Sequence, residues 1–196
     1  GYDPTRFGLF IDVMLGSGDG TLSQGYQTYF VTYSDTIAEY LGGIGNISLA
    51  DVNLDGSIDI YINGSAQSEL LFNSSSGSFS ESSWLQNMRV TYSNGKWGDV
   101  NMDGAPDLFL MGVNESTDQI LNKLFINNGN DFENDLTTIF PNLVNGTSTW
   151  NDYDSDGDFD LIICGRTADN TASVTRLYQN DPVGRLSELT TAEDLI

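Results

Sequence analysis

The sequence predicts an all-β protein assembled from repeated small antiparallel sheets, and three observations support that fold class. Short segments rich in Ile, Leu, Phe, Tyr and Val alternate with turns of Gly, Asn and Ser, a pattern typical of strands. A polar motif recurs three times along the chain, each time directly before an apolar run. A second motif recurs in phase with the first. Helical periodicity is weak everywhere except over residues 35–42.

The polar motif places acidic or amide side chains at alternate positions, with Gly at the sixth position and Asp at the ninth. Its copies read D-V-N-L-D-G-S-I-D (51–59), D-V-N-M-D-G-A-P-D (99–107) and D-Y-D-S-D-G-D-F-D (152–160). A surface turn would explain a single copy, because Asp, Asn and Gly all favour turns. Three copies with oxygen-bearing side chains at the same positions indicate a metal-binding loop as well.

The second motif consists of an apolar pair, a polar turn and a closing apolar residue. Its copies span residues 70–79, 124–132 and 177–186, and V-M-L-G-S-G-D-G-T-L at 13–22 fits as a fourth. The polar motif starts again after 48 and then 53 residues, a period that indicates stacked or radial repeats. A radial array of small antiparallel sheets is a β-propeller, so we predict one propeller segment over residues 1–196. Its predicted units are residues 1–47, which lack a metal loop, and residues 48–95, 96–148 and 149–196.

The alternating oxygen ligands suit calcium, which takes about 6–8 oxygens from carboxylates, amides, backbone carbonyls and water. Side chains at positions one, three and five supply one oxygen each, Gly permits the sharp turn, position seven supplies its carbonyl, and the ninth Asp closes the shell. The predicted ligands of about three Ca²⁺ ions are Asp51, Asn53, Asp55, the carbonyl of Ser57 and Asp59; Asp99, Asn101, Asp103, the carbonyl of Ala105 and Asp107; and Asp152, Asp154, Asp156, the carbonyl of Asp158 and Asp160. The third loop has the most carboxylates, so we expect it to bind calcium most tightly.

Other calcium modules fit the motif less well. An EF-hand requires Glu at position twelve of its loop, where this chain has Ile62, Leu110 and Ile163, and a helix should follow. Dockerin modules have helices and shorter repeats, and cysteine-rich calcium repeats need cysteines that this chain lacks. Magnesium prefers few carboxylates and several retained waters.

Composition narrows the function further. The chain has 28 acidic residues against 7 basic ones, a formal charge of −21, which opposes binding to nucleic acid or anionic lipid and suits cations. It has no histidine, which excludes a Ser-His-Asp triad and the usual zinc sites. One cysteine makes no internal disulfide, and no apolar stretch is long enough to insert into a membrane.

With W-G-D at 97–99 and W-N-D at 150–152 preceding the loops, the chain resembles the FG-GAP/VCBS repeat family, the repeats of integrin-α-like β-propellers. The resemblance implies that each loop joins two strands of a blade and is mainly structural, while partners bind elsewhere. Such propellers usually have about seven blades, so three to four units imply a partial ring. Remaining blades of the same chain or other protein chains would complete it, unless the protein is a rarer four-bladed form.

We therefore expect a non-catalytic, calcium-binding extracellular module for adhesion or structural assembly within a larger glycoprotein. Asn-X-Ser/Thr sequons favour secretion and predict glycosylation at Asn46, Asn63, Asn73, Asn114 and Asn145.

Two alternatives stay open: a carbohydrate-binding propeller, and a non-catalytic domain of a larger secreted hydrolase. Trp97 and Trp150 precede the loops at equivalent positions and are predicted to be buried by blade packing, which leaves Trp84 as the candidate sugar platform. A glycosidase needs two carboxylates about 5–10 Å apart, and nearly every clustered acid is already assigned to a loop, so the sequence gives no support for an enzyme. We interpret Asp118, Glu133 and Asp135 as solvated loop charges.

Overall fold

The computed structural model describes residues 9–16, 18–30, 46–64, 68–74, 76–85, 90–114 and 117–189. Within this part of the chain it contains fourteen β-strands and no helix, which confirms the all-β prediction for the described residues. None of these residues belongs to an apolar helix of membrane-spanning length. The weak helical signal at residues 35–42 lies outside the described residues.

The strands follow one another as a series of antiparallel meanders. They are Leu9–Gly16 (β1), Leu22–Phe30 (β2), Asn46–Ala50 (β3), Asp59–Asn63 (β4), Ser68–Asn73 (β5), Phe79–Glu81 (β6), Val90–Gly98 (β7), Asp107–Asn114 (β8), Gln119–Asn127 (β9), Phe132–Asn134 (β10), Leu143–Asn151 (β11), Asp160–Thr167 (β12), Ser173–Gln179 (β13) and Ser187–Glu188 (β14). We name the four-stranded sheets sheet I (β3–β6), sheet II (β7–β10) and sheet III (β11–β14). Strands β1 and β2 form a separate two-stranded hairpin.

The second sequence motif covers the end of the third strand of each sheet and the turn that leads to the fourth strand. In sheet I, for example, Phe72 pairs with Ser80 across the turn between β5 and β6. The fourth copy of the motif joins β1 to β2, and β2 is longer than the final strands β6, β10 and β14 of the three sheets. The predicted unit boundaries at residues 48, 96 and 149 lie inside the first strand of each sheet, so each sheet begins a few residues before its predicted unit.

Sheet II lies in the middle of a three-sheet stack, and its strand β8 is buried on both faces. Leu108 and Leu110 pack with residues of sheet I, while Phe109 and Met111 pack with residues of sheet III. This burial on both faces explains why the segment L-F-L-M is continuously apolar. A strand with one solvent-exposed face would instead alternate apolar and polar residues. Removal of this apolar surface from water is the main force that holds the sheets together.

Aromatic rings fill the space between sheets I and II. The ring of Trp97 on β7 lies 5.8 Å from the ring of Tyr61 and 5.8 Å from that of Phe132. Trp84, between β6 and β7, packs edge-on against Phe72 at 5.1 Å and Phe132 at 5.9 Å. Such edge contacts add about 0.5–1.5 kcal/mol to the gain from burial.

Trp150 performs the corresponding role between sheets II and III. Its indole Nε1 donates a hydrogen bond to the carbonyl oxygen of Lys96 on β7 (3.2 Å). Its ring lies against Gly98, where an added Cβ would come within 2.7 Å of the indole. Trp97 and Trp150 serve in packing as predicted, but both are half-buried and they pack between neighbouring sheets, a position that the sequence did not specify.

Candidate metal centres

Each polar motif connects the first and second strands of its sheet, as the resemblance implied. We name residues 51–59 loop I, residues 99–107 loop II and residues 152–160 loop III. Loop I joins β3 to β4, loop II joins β7 to β8, and loop III joins β11 to β12. The ninth residue of each loop is also the first residue of the following strand.

In loop I, the predicted ligands are held by backbone N–H groups of the loop itself. The carboxylate of Asp51 accepts hydrogen bonds from the N–H groups of Asp55 (3.0 Å) and Gly56 (2.9 Å). Asp55 Oδ1 accepts from the N–H of Ser57 (2.8 Å). Asn53 accepts from the N–H of Asp55 (3.1 Å), and its amide donates to Asp55 Oδ2 (3.1 Å). The sequence therefore folds into a closed turn that brings positions one, three and five together.

Loop II repeats this arrangement bond for bond. Asp99 accepts from the N–H groups of Asp103 (3.0 Å) and Gly104 (2.9 Å). Asp103 accepts from the N–H of Ala105 (2.8 Å), and the amide of Asn101 donates to Asp103 Oδ2 (2.9 Å). In both loops an asparagine amide thus lies against the carboxylate at position five and offsets part of its charge.

The aspartate at position nine has a second role that the sequence did not reveal. Asp59, Asp107 and Asp160 are each 0% exposed, and both carboxylate oxygens of each accept a backbone hydrogen bond. One bond comes from the second loop residue and the other from the residue at or just after the end of the third strand. The donor N–H groups belong to Val52 and Asn73, Val100 and Asn127, and Tyr153 and Asn180, at 2.8–2.9 Å.

The ninth aspartate therefore ties the start of each loop to the end of the third strand. A carboxylate oxygen has two lone pairs, so each of these oxygens can still face a cation. Without a cation beside it, a buried carboxylate charge destabilises the folded state. Burial raises the pKa of Asp107 to about 6, against the opposing effect of hydrogen bonds from the N–H groups of Asn127 and Val100. Burial raises the pKa of Asp59 and Asp160 in the same way.

Loop III differs from the other two loops at position three. Asp154 replaces the asparagine, and its Oδ2 accepts a hydrogen bond from Gln179 Nε2 on β13 (2.6 Å). Asp152 accepts from the N–H groups of Asp156 (3.1 Å) and Gly157 (3.2 Å). Ligand oxygens of Asp152, Asp154 and Asp156 lie within 4.8 Å of one another, the one such group of three acidic side chains among the described residues.

The backbone of all three loops contains the same left-handed residue at position four. Leu54, Met102 and Ser155 have φ values of 59°, 55° and 64°. This conformation costs a non-glycine residue of order 1–3 kcal/mol and persists only where surrounding contacts enforce it. Here the hydrogen bonds between the carboxylates and the following N–H groups enforce it, so the turn and the ligand positions are formed together.

Two asparagines connect the loops to neighbouring sheets. The buried amide of Asn127, at the end of β9, donates to the carbonyl oxygen of Val52 in loop I (2.8 Å). The buried amide of Asn180, after β13, donates to the carbonyl oxygen of Val100 in loop II (2.7 Å). We name Asn127 and Asn180 the inter-sheet asparagines. Sequence reasoning did not assign them, although the repeated asparagine in L-F-I-N and L-Y-Q-N was a usable signal.

The sequons differ in their surroundings. Asn63 is 0% exposed and donates to the hydroxyl of Tyr61 (3.0 Å), so the folded protein has no room for a glycan there. Asn145 is exposed, whereas Asn46, Asn73 and Asn114 are half-buried.

The remaining candidates occupy ordinary positions. Trp84, proposed as a sugar platform, is half-buried between two aromatic rings. Asp118 and Glu133 are exposed, as expected of loop charges. Asp135 is half-buried and accepts hydrogen bonds from the N–H and hydroxyl of Thr137, so it orders the segment after β10.

Comparisons with known proteins support the repeat architecture. Residues 51–110 match the model of the FG-GAP-like repeat family, which confirms the resemblance over loops I and II. No curated protein matches the chain. A solved Agrocybe aegerita lectin, described for specific recognition of non-reducing terminal N-acetylglucosamine, aligns with a TM-score of 0.51 at 15% identity over 92% of this chain. The alignment covers 52% of the lectin, so the chain spans about half its length, and the likeness concerns the fold alone.

Proposed function

Because residues 51–110 contain FG-GAP-like repeats, we propose that the chain is a non-catalytic, calcium-stabilised β-propeller module. In this proposal sheets I to III are blades and the β1–β2 hairpin belongs to a further unit, so that the chain supplies three to four units of a ring. The observation that carries the proposal is the recurrence of one loop geometry at the same place in three stacked sheets. The lectin-like fold supports the propeller architecture.

Calcium fits the donor set of the loops. Each loop gathers carboxylate and amide oxygens on one turn, the hard oxygen ligands that Ca²⁺ requires. The predicted ligands at positions one, three, five, seven and nine would hold one ion in each loop. Three ions would reduce the formal charge of the chain from −21 to −15. Relief of carboxylate repulsion would then add to the stability of the folded state.

The role of the ions is structural. The ninth aspartate joins each loop to its own sheet, and the inter-sheet asparagines join loops I and II to the next sheet. An ordered loop therefore supports the contact between neighbouring blades. This role suits an extracellular adhesion or assembly protein, because extracellular calcium modules operate at about 10⁻⁴–10⁻³ M calcium. The proposed partners are remaining blades or other protein chains.

Calorimetric titration with Ca²⁺ and thermal melts in Ca²⁺ and in EGTA test the proposal. We expect saturable binding and a higher melting temperature in calcium, since a ligand that binds only the folded state stabilises it. A matched control is the triple variant D51N/D99N/D152N, which replaces the first ligand of every loop and keeps its volume. An identical melting temperature with and without calcium, or no binding heat, would refute calcium stabilisation.

The lectin similarity favours a second candidate function, carbohydrate binding by the same module. A glycan array that includes terminal N-acetylglucosamine tests it, probed in calcium and in EGTA. Selective, saturable binding of one glycan class would support a lectin function, and a blank array under both conditions would exclude it for the glycans displayed. Trp84 is a poor platform, because it already packs against Phe72 and Phe132.

A further inference from the structure

Asp158, at position seven of loop III, is a buried acid with an unsatisfied oxygen. Its side chain is 3% exposed, and no hydrogen-bond partner faces its Oδ1. Its own backbone N–H donates to Asp156 Oδ1 (3.2 Å), which fixes the residue against the loop. Loops I and II have Ser57 and Ala105 at this position, so the turn itself does not require a carboxylate.

The side chain of Asp158 lies beside that of Asp156 and within electrostatic range of Asp154 and Asp160. Its pKa is raised to about 6, first by burial and then by the negative charges of Asp156 and Asp160. A hydrogen bond with the Asp156 side chain contributes in the same direction, and Asp154 also acts on it. A buried, incompletely bonded carboxyl beside other carboxylates is destabilising unless a positive charge compensates it. No Lys or Arg side chain makes an ion pair with it in the described part of the chain.

We propose that the Asp158 side chain is an additional cation ligand that makes loop III the strongest calcium site of the molecule. The proposal rests on the calcium binding proposed above and departs from the sequence prediction, which assigned only the backbone carbonyl of residue 158 to the ion. Loop III then offers five carboxylates, at positions one, three, five, seven and nine. Loops I and II offer three each, with an amide at position three.

The number of carboxylates in each loop determines which cations should bind the three loops with different affinities. Calcium affinity rises with the number of charged ligands, and a larger shell of oxygens favours Ca²⁺ over the smaller Mg²⁺. A trivalent ion of similar size gains more from each added carboxylate, because its Coulomb interaction with each negative charge is larger. Tb³⁺ is therefore a suitable probe, because Tyr153 within loop III and Trp150 just before it are natural sensitisers of its luminescence.

The experiment compares D158S and D158A with the wild-type protein. These variants give loop III the residue found at position seven of loop I or loop II, so the turn accommodates them. E81Q, which removes an exposed charge from β6 in sheet I, is the control for overall charge. Tb³⁺ luminescence and calorimetry with Ca²⁺ measure the affinity of the strongest site, and thermal melts in EGTA measure the metal-free fold.

We expect D158S and D158A to weaken the strongest site about tenfold or more and E81Q to leave it unchanged. In EGTA both position-seven variants should melt at the same temperature as the wild type or higher, because they remove an uncompensated buried charge. The proposal would be overturned if D158S bound the ion with wild-type affinity. It would also be overturned if a variant melted at a lower temperature in EGTA while its affinity was unchanged, because Asp158 would then have a purely structural role. Absence of saturable binding in the wild type would instead refute calcium binding itself.

Discussion

Loops II and III have the same backbone geometry, but different groups compensate their negative charges. In loop II the amide of Asn101 donates to Asp103, so the turn supplies its own positive dipole. In loop III the equivalent residue is Asp154, and the amide that faces it comes from Gln179 on another strand. The buried Asp158 adds a further carboxyl, whereas loop II has Ala105. Loop II therefore compensates more of its negative charge with its own groups. We infer that loop III depends more on a bound cation.

The comparison separates two functions of the motif. The ninth aspartate and the left-handed turn are the same in all three loops and hold the sheet together. Positions three and seven vary, and we propose that they set how strongly each loop would bind an ion. Experiments on the shared positions should therefore give equal effects in all loops, while experiments on the variable positions should give unequal ones.

The largest effect is expected at the shared ninth position. D107A and D160A each leave two backbone N–H groups without an acceptor in the interior, at about 1–3 kcal/mol per group, so each should lose about 2–6 kcal/mol of unfolding free energy. Urea denaturation in EGTA measures the loss, with exposed K123A as the control. A loss below about 1 kcal/mol in either variant would show that these bonds contribute little.

The pH dependence should expose the charge buried at position nine. Because the folded pKa of Asp107, about 6, lies above its ordinary value of 3.8, the metal-free folded state binds the proton more tightly than the unfolded state. This contribution is complete below pH 3.8 and is lost as the pH rises through 6, by about 1–3 kcal/mol.

Urea denaturation of wild type and D107N between pH 4 and 7 in EGTA isolates this contribution as the difference between the two profiles. Calcium should reduce the loss near pH 7, because the ion replaces the proton as the compensating charge. Parallel profiles for the two proteins would contradict a raised pKa at Asp107.

The inter-sheet asparagines should show a smaller, local effect. N127A leaves the buried carbonyl of Val52 without this donor, and N180A does the same for Val100, at about 1–2 kcal/mol each. Hydrogen exchange read by mass spectrometry should locate the loosening in loop I for N127A and in loop II for N180A. Uniform loosening of all three sheets in either variant would argue against a local link.

The smallest effect is expected from exchange of the two side chains at position three. D154N should weaken calcium binding by loop III about tenfold, or about 1.4 kcal/mol, while N101D should lower the melting temperature in EGTA through added repulsion in loop II. The double variant D154N/N101D keeps the net charge and serves as the control. Equal calcium affinity in all variants would show that position three does not cause the difference between loops II and III.

Much of this arrangement was predictable because the loops are local. Positions one to nine lie within one turn, so the repetition of residue types in register was enough to predict the loops, the strands that follow them and the closing hairpins. Trp97 and Trp150 were assigned to packing for the same reason, since each stands directly before a loop.

The features that sequence reasoning missed all depend on distant parts of the chain. The bond from Asn127 to Val52 joins residues 75 positions apart, and no local pattern specifies that contact. The burial of Asp158 likewise could not be read from the sequence, because neither Ser57 nor Ala105, at the same position of loops I and II, is an acid. The double hydrogen bonding of Asp59 likewise requires the end of β5 to lie beside loop I.

The most direct test of the central claim, that loop III is the strongest cation site, is anomalous scattering from crystals grown with one equivalent of Tb³⁺. We expect the highest peak in loop III, within coordination distance of Asp152, Asp154, Asp156 and the side chain of Asp158. A highest peak in loop I or loop II, or equal peaks in all three loops, would contradict it.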